Sequence, residues 1–94
     1  MRTPEQVYER YLELTQRALG KVRIAAPEKT PLGRSAADYL DMARRYVADA
    51  RHFRKEGKVA EALAAVAYAH GWLDAGARLG LFDVQGDSAL FTVD

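Results

Sequence analysis

The strongest constraint on this chain is one stretch, residues 60–81, which reads AEALAAVAYAHGWLDAGARLGL. It is rich in good helix formers, and on a helical wheel its apolar residues leave almost no polar face. A helix that is apolar on every side has to be buried on every side. Because the chain has 94 residues, a length that suits one domain, we expect the rest of the sequence to cover this helix.

The composition excludes several classes of protein. Hydrophobic residues make up 49% of the chain and charged residues 29%, which indicates a folded domain rather than a disordered one. The net charge of +1 predicts no overall attraction to nucleic acid or to an anionic membrane. The lack of cysteine excludes disulfides and thiolate metal sites. With no apolar run typical of a signal peptide or a membrane span, we expect a cytoplasmic protein without membrane contact.

The first helix is predicted over residues 4–25. Thr3 suits the N-cap, Pro4 the first helical position, and Gln6 completes a capping box. Apolar residues then recur on one stripe of the helical wheel, and polar and charged residues lie opposite, which is typical of a one-sided surface helix. The proline at position 27 is expected to end it, since the residue before a proline disfavours the helical region.

The second and third helices are predicted over residues 36–56 and 59–79. A loop over residues 27–34 separates the second helix from the first, with Ser35 as its N-cap. Gly57 is placed to end that helix at C′. Because only Lys58 is left as a connection, the two helices should form a tight antiparallel hairpin.

Gly80 is placed to end the third helix, with Leu81 making the hydrophobic contact of a Schellman motif. The tail, residues 82–94, carries apolar residues in two clusters. These features together predict an all-α fold, in which three long helices form a bundle and are followed by a short extended C-terminal tail.

One side of the third helix is predicted to be an interaction surface formed by Tyr68, Trp72 and Leu79. The first two helices can cover only the opposite side. Tryptophan and tyrosine are over-represented in interface hot spots. Two interpretations remain for what covers this surface: the tail of the same chain, or a second copy in a homodimer or another protein partner.

Four small residues, Gly71, Ala75, Gly76 and Gly80, recur along the third helix. A glycine inside a helix costs about 1 kcal/mol relative to alanine, so its repeated use needs a reason. We favour close packing of a neighbouring helix on the backbone. The alternative is a backbone surface that binds a ligand or partner.

Three polar residues of the third helix, His70, Asp74 and Arg78, follow one another at i, i+4 and therefore share a face. Pairing the helices around Gly57 predicts that His70 lies near Arg45 and Asp41 of the second helix. Asp49 lies at the border of that helix's core face. The sequence therefore allows a buried polar cluster of Asp49, His70 and Asp74, without requiring it.

This cluster has two interpretations. It could bind a metal or a small ligand, since a carboxylate often orients a metal-binding histidine. We favour the other interpretation, a hydrogen-bond network that fixes helix register, because buried polar groups have to be paired in any protein. One histidine and two aspartates are a weak set of ligands for zinc, which usually binds cysteine or several histidines. We accordingly predict no catalytic residue, no bound metal and no cofactor.

Residues 46–53 read YVADARHF, and residues 65–82 contain the run YAHGWLDAG. Through these two stretches the region from residue 36 to 84 resembles domain-of-unknown-function family 357, a group of small, mainly archaeal proteins. It implies a closed three-helix bundle, a cytoplasmic archaeal protein and no established activity. It transfers no catalytic residue. Lys58 departs from the pattern, since an aspartate N-cap is expected there.

A basic stripe on the second helix is a candidate contact for nucleic acid, and it is formed by Arg44, Arg45, Arg51 and Lys55. The spacing of Arg45 and His52 resembles that of the helical HEPN ribonuclease family. Tyr46 follows the arginine, however, where that family usually has a polar residue. Asp41 and the near-zero net charge favour an ordinary solvated face instead.

The sequence therefore supports an uncharacterised small helical protein, and our leading hypothesis is a non-catalytic interaction module capable of self-association. The first alternative is an RNA-binding or nuclease-like bundle that uses the basic stripe. The second alternative is a small metal or ligand site within the bundle.

Overall fold

The computed structural model describes residues 1–84. Three helices, α1 (Pro4–Lys21), α2 (Pro31–Lys55) and α3 (Val59–Arg78), are joined by short connections, and two short strands, β1 (Arg23–Ile24) and β2 (Phe82–Asp83), form an antiparallel pair. The predicted all-α, closed three-helix bundle is confirmed. The part of the predicted tail over residues 85–94 lies outside the described residues.

Helix α3 lies at the centre of the bundle. It packs along α2 and along α1, whereas α1 and α2 touch each other very little. Small side chains dominate its buried positions and let both neighbours approach closely; these positions are Ala62, Ala65, Val66, Ala69, Leu73, Gly76 and Ala77. The apolar faces of α1 and α2 are therefore buried mainly against α3.

The two helix ends that the sequence predicted at glycines are confirmed. Gly57 has φ +76°, and the N–H of Lys58 donates to the Phe53 carbonyl at 2.9 Å. Gly80 has φ +79°, and the N–H of Leu81 donates to the Gly76 carbonyl at 2.9 Å. Both are Schellman motifs, which need a residue that adopts positive φ at little cost.

Helix α1 begins as predicted, with a complete capping box between Thr3 and Gln6. The prediction of its end is wrong, because α1 stops at Lys21 rather than at residue 25. The backbone of Arg23–Ile24 pairs instead with Phe82–Asp83, and the N–H of Ala25 donates to the Leu81 carbonyl at 2.9 Å. A tertiary pairing with the start of the tail has overridden local helix propensity.

The predicted start of the second helix is also wrong. Helix α2 begins at Pro31, five residues before residue 36, and its N-cap is Thr30 rather than Ser35. The Thr30 hydroxyl accepts from the Gly33 N–H at 3.0 Å and donates to the Pro27 carbonyl at 2.6 Å. A side chain on Gly33 would collide with that same carbonyl. The predicted loop therefore ends at Thr30, and residues 31–34 are helical.

None of the helices within residues 1–84 has the length and apolar character needed to cross a bilayer.

Candidate functional site

Four aromatic rings line the junction of α2 and α3. The Tyr39 and Trp72 ring centres are 4.9 Å apart, those of Tyr46 and Tyr68 are 4.5 Å apart, and Tyr68 and Trp72 are 6.0 Å apart. All three pairs meet edge to face, which is a favoured arrangement for aromatic quadrupoles. Helical spacing places these rings on facing sides of the two helices. The two tyrosines of α2 are two turns apart, and Tyr68 and Trp72 of α3 are one turn apart.

Three of these rings border a shallow depression, called here the aromatic groove, with a cavity volume of about 260 Å³. Its lining consists of Tyr39, Tyr68, Gly71, Trp72 and Ala75. A Cβ added to Gly71 would meet nothing within 4 Å, so the floor of the groove is open. Gly71 therefore exposes helix backbone at the surface, whereas the prediction favoured a neighbouring helix packed against it.

The Trp72 side chain is partly buried and packs against the core, with Tyr39 of α2 as its nearest ring. Its indole Nε1–H is buried and has no acceptor among the described residues. Leaving a buried donor unpaired costs about 1–3 kcal/mol. Within the described residues, this indole N–H is therefore a buried donor that no acceptor satisfies.

Between Glu61 and Arg78 the exposed residues of α3 are uncharged, and Asp74 at the edge of this side is 28% exposed. We call this surface the neutral stripe; its exposed residues are Ala64, Ala67, Tyr68, Gly71 and Ala75. Tyr68 is 51% exposed, and Leu79 just beyond Arg78 is 67% exposed. The expectation that α3 is buried on every side is therefore not met by residues 1–84. Contiguous apolar surface of this kind is typical of interaction sites.

The described start of the tail packs on another part of α3. Phe82 is 4% exposed and Val84 6% exposed, and the Phe82 ring lies directly on Gly76. A side chain at Gly76 would collide with that ring, so close packing does explain this glycine, although the partner is the tail and not a helix. The later apolar residues of the tail, Leu90, Phe91 and Val93, lie outside the described residues.

His70 faces α1. Its Nδ1 atom lies 3.1 Å from the Thr15 hydroxyl, and its Nε2 atom lies 3.6 Å from Asp74 Oδ1. Thr15 has no exposed surface. Sequence reasoning missed Thr15, although it follows the buried Tyr8 by seven residues and so lies on the same stripe of α1.

The structure does not bring together the predicted cluster of Asp49, His70 and Asp74. Asp49 is exposed on α2, and Arg45 pairs with Asp41 on the surface at 2.9 Å rather than approaching His70. Within residues 1–84 no three His, Asp or Glu side chains are close enough to hold a metal ion. The prediction failed because the rotation of α3 directs His70 to the α1 side.

The basic stripe divides into two parts. Arg44 and Arg51 line a depression between α1 and α2, called here the basic groove, with a volume of about 260 Å³. The remaining lining residues are Gln16, Leu19, Val47 and Ala48. Arg45 is directed elsewhere, with its side chain 71% exposed beside Asp41.

Arg45 and His52, the two residues with the ribonuclease-like spacing, contact different partners. Arg45 pairs with Asp41, and His52 lies 3.3 Å from Glu56. Both contacts are local i, i+4 pairs on the surface of α2. The structure therefore gives no shared site for these two residues, and Lys55 is exposed nearby.

Tyr8 of α1 is 1% exposed and packs in a core cluster with Ala50 of α2 and Val66 of α3. Burial raises the pKa of its phenol, and the negative charge of Glu9 raises it further. The positive charges of Arg51 and Arg54 act in the opposite direction on the same pKa. Arg51 and Arg54 of α2 therefore lie close enough to Tyr8 to affect the pKa of its phenol.

A family model described as "Protein of unknown function (DUF357)" matches residues 10–82. The chain belongs to this family. The resemblance drawn from the sequence is confirmed, and the match extends it into α1. No curated protein matches the chain. Nor does any solved structure.

The region matched to the DUF357 family contains both grooves and the contact between Thr15 and His70. It also contains every candidate site residue of the sequence analysis, from Arg44 to Leu79. It begins after Tyr8 and ends at Phe82, so that the strand pairing of β1 with β2 lies almost entirely inside it.

Proposed function

We propose that this member of the DUF357 family is a non-catalytic interaction module that self-associates through the neutral stripe and the aromatic groove. The observation that carries the proposal is the exposure of Tyr68 and Leu79 on a helix whose exposed residues are uncharged between Glu61 and Arg78. A cytoplasmic location is part of the same proposal and is supported by the lack of cysteine.

A non-catalytic role is supported by the contacts of the titratable residues. His70, the best candidate for acid–base chemistry, is held between Thr15 and Asp74. The residues that line the aromatic groove are aromatic or small, and none of them is acidic or basic. Such a set suits binding better than proton transfer.

A second copy is the occupant that fits this surface. An antiparallel pair of α3 helices, centred between Tyr68 and Gly71, would place Tyr68 of each copy beside Gly71 of the other. Gly71 has no side chain to displace, so the same surface supplies both a projecting ring and a space to receive it. That is the self-complementarity required of a two-fold interface.

The charges at the two ends of the neutral stripe favour the same arrangement. Glu61 lies in the first turn of α3 and Arg78 in its last turn. An antiparallel pair would bring the acidic end of each helix to the basic end of the other, whereas a parallel pair would place like charges together. Such rim charges set orientation more than affinity.

Light scattering after size exclusion, over a wide concentration series, tests the proposal. We expect the mass to rise toward twice the chain mass of 10.5 kDa. Ala75→Glu and Ala64→Glu each place a charge on the neutral stripe, and both should keep the chain monomeric at every concentration. Ala37→Glu, the same change at an exposed alanine of α2, should dimerise like the wild type.

Two results would overturn self-association. One is a wild-type chain that stays monomeric throughout, as expected if residues of the tail cover the stripe within one molecule. The other is equal weakening by Ala75→Glu and Ala37→Glu, which would indicate a general charge effect. Circular dichroism on each variant checks that the monomer remains folded.

A further inference from the structure

We propose a second site that is independent of self-association: the basic groove binds a phosphate group, held by Arg44 and Arg51 of α2 with Gln16 of α1. The three residues line one depression, about 260 Å³ in volume, between helices that otherwise touch very little. A gap between two packed helices, lined by two guanidinium groups and an amide, has the donors that an anion requires.

The groove has a simple geometric origin. Arg44 and Arg51 are seven residues apart, so they project from the same side of α2 about 10 Å apart along the helix axis. Ala48 lies between them and is too small to fill the space. Leu19 and Val47 form an apolar floor. Both arginine side chains are long enough to converge over Ala48.

The charges of the groove are not neutralised within the described residues. Arg45, His52 and Lys58 each lie near a carboxylate, at 2.9, 3.3 and 3.7 Å. Arg44 and Arg51 have no such ion pair in residues 1–84, and neither hydrogen-bonds another side chain there. Their donors are therefore available, and the planar guanidinium fork matches a phosphate with two parallel hydrogen bonds.

A third cation extends the field of the site. Arg54 is partly buried one turn beyond Arg51, and its Nε atom is buried without an acceptor in the described part of the chain. Arg51 and Arg54 both lower the pKa of the Tyr8 phenol on α1, against the opposing effects of burial and of Glu9.

The size of the groove selects the ligand class. Sites for drug-sized molecules usually have about 300–1,000 Å³, and the basic groove is slightly smaller. It suits one phosphate with a small organic group. The phosphate could belong to a small phosphate ester or to the backbone of single-stranded RNA, and the net charge of +1 favours the former.

Nuclear magnetic resonance can follow the arginine Nε–H and Gln16 amide signals during titration with inorganic phosphate, glycerol 3-phosphate and a single-stranded RNA, against chloride at equal ionic strength. We expect saturating shifts of these groove signals with phosphate or its ester. Arg44→Gln with Arg51→Gln should weaken binding at least about tenfold, because each removes a charged hydrogen bond. The control pair, Arg34→Gln with Arg45→Gln, removes the same charge outside the groove and should leave binding unchanged.

A separate variant keeps both arginines and closes the space. Ala48→Leu should abolish the phosphate-dependent shifts while the chain stays folded and its oligomeric state is unaltered. If the groove signals saturate with glycerol 3-phosphate and the RNA binds no more tightly, the ligand is a small-molecule phosphate. Much tighter binding of RNA that falls steeply with salt and is lost in the groove variant assigns the phosphate to nucleic acid.

Three results would overturn the proposal: no saturation with any of the three probes, equal loss in the groove and control variants, or unchanged binding in Ala48→Leu. None of these results bears on self-association, because the neutral stripe lies on α3 and the groove between α1 and α2. The two proposals can therefore fail separately.

Discussion

The Nδ1 atom of His70 lies 3.1 Å from the hydroxyl oxygen of Thr15, a residue with no exposed surface. This contact joins the central helix α3 to α1 across 55 residues of sequence. His70, the best candidate for acid–base chemistry in the sequence, is therefore part of the packing between α1 and α3.

Replacing Thr15 with valine keeps the shape of the side chain and removes the hydroxyl. We expect the free energy of unfolding to fall by about 1–2 kcal/mol, because His70 loses a partly buried hydrogen bond. Thr15→Ser retains the hydroxyl and should recover part of the loss. Urea unfolding measures both. Equal stability of the valine variant and the wild type would show that the contact does not contribute to stability.

The packing of Phe82 on Gly76 gives a second prediction. Gly76→Ala should destabilise the fold by about 1–3 kcal/mol, since the buried ring of Phe82 has to move. Gly71→Ala is the matched control on the same helix. Nothing lies within 4 Å of a Cβ at Gly71, so alanine there should stabilise α3 by up to about 1 kcal/mol through helix propensity.

Thermal unfolding of the two glycine variants, followed by circular dichroism, measures this difference. Adding Phe82→Leu to Gly76→Ala should restore part of the stability, because the smaller side chain relieves the collision. Similar melting temperatures for Gly71→Ala and Gly76→Ala would contradict the packing described here.

The N-terminus of α2 gives a third prediction, because two residues could cap it. Thr30→Ala should cost about 0.5–2 kcal/mol, since the hydroxyl accepts from the Gly33 N–H. Ser35→Ala should change stability by less than about 0.5 kcal/mol, because Ser35 is exposed inside the helix. Chemical denaturation compares the two, and a larger loss at Ser35 would place the start of α2 where the sequence pattern suggested.

The buried phenol of Tyr8 predicts a dependence on alkaline pH. The pKa of Tyr8 is raised in the folded chain from its ordinary value of 10.0, so the unfolded chain loses this proton first as the pH rises. The corresponding stability is fully present below about pH 10 and is lost as the pH approaches and passes the raised pKa.

Unfolding measured from neutral to strongly alkaline pH tests that dependence. Tyr8→Phe should lose stability less steeply than the wild type above about pH 10. Tyr11→Phe, at an exposed tyrosine of the same helix, provides the control. Parallel stability curves for the Tyr8 variant and the wild type would show that the phenol does not contribute to the alkaline loss.

The sequence by itself determined the features that depend on a few neighbouring residues. The capping box at Thr3, the turn at Gly57 and the end of α3 at Gly80 all lie where they were predicted. Each is closed by hydrogen bonds between residues no more than five positions apart, so all the interacting groups can be identified in a short window. The tight hairpin of α2 and α3 follows from the same local signals.

The tertiary structure alone decided which faces meet. Helix α1 ends early because Arg23–Ile24 pairs with Phe82–Asp83, far along the chain. The Thr30 cap, by contrast, is a local feature that the prediction missed, because Ser35 also suits an N-cap; the Thr30 hydroxyl contacts the Pro27 carbonyl and the Gly33 N–H, each three residues away. His70 meets Thr15 instead of α2 because the rotation of α3 about its axis is set by its packing against both neighbours. Helical periodicity identifies the residues that share a face, but only the packed core determines the neighbour that each face contacts.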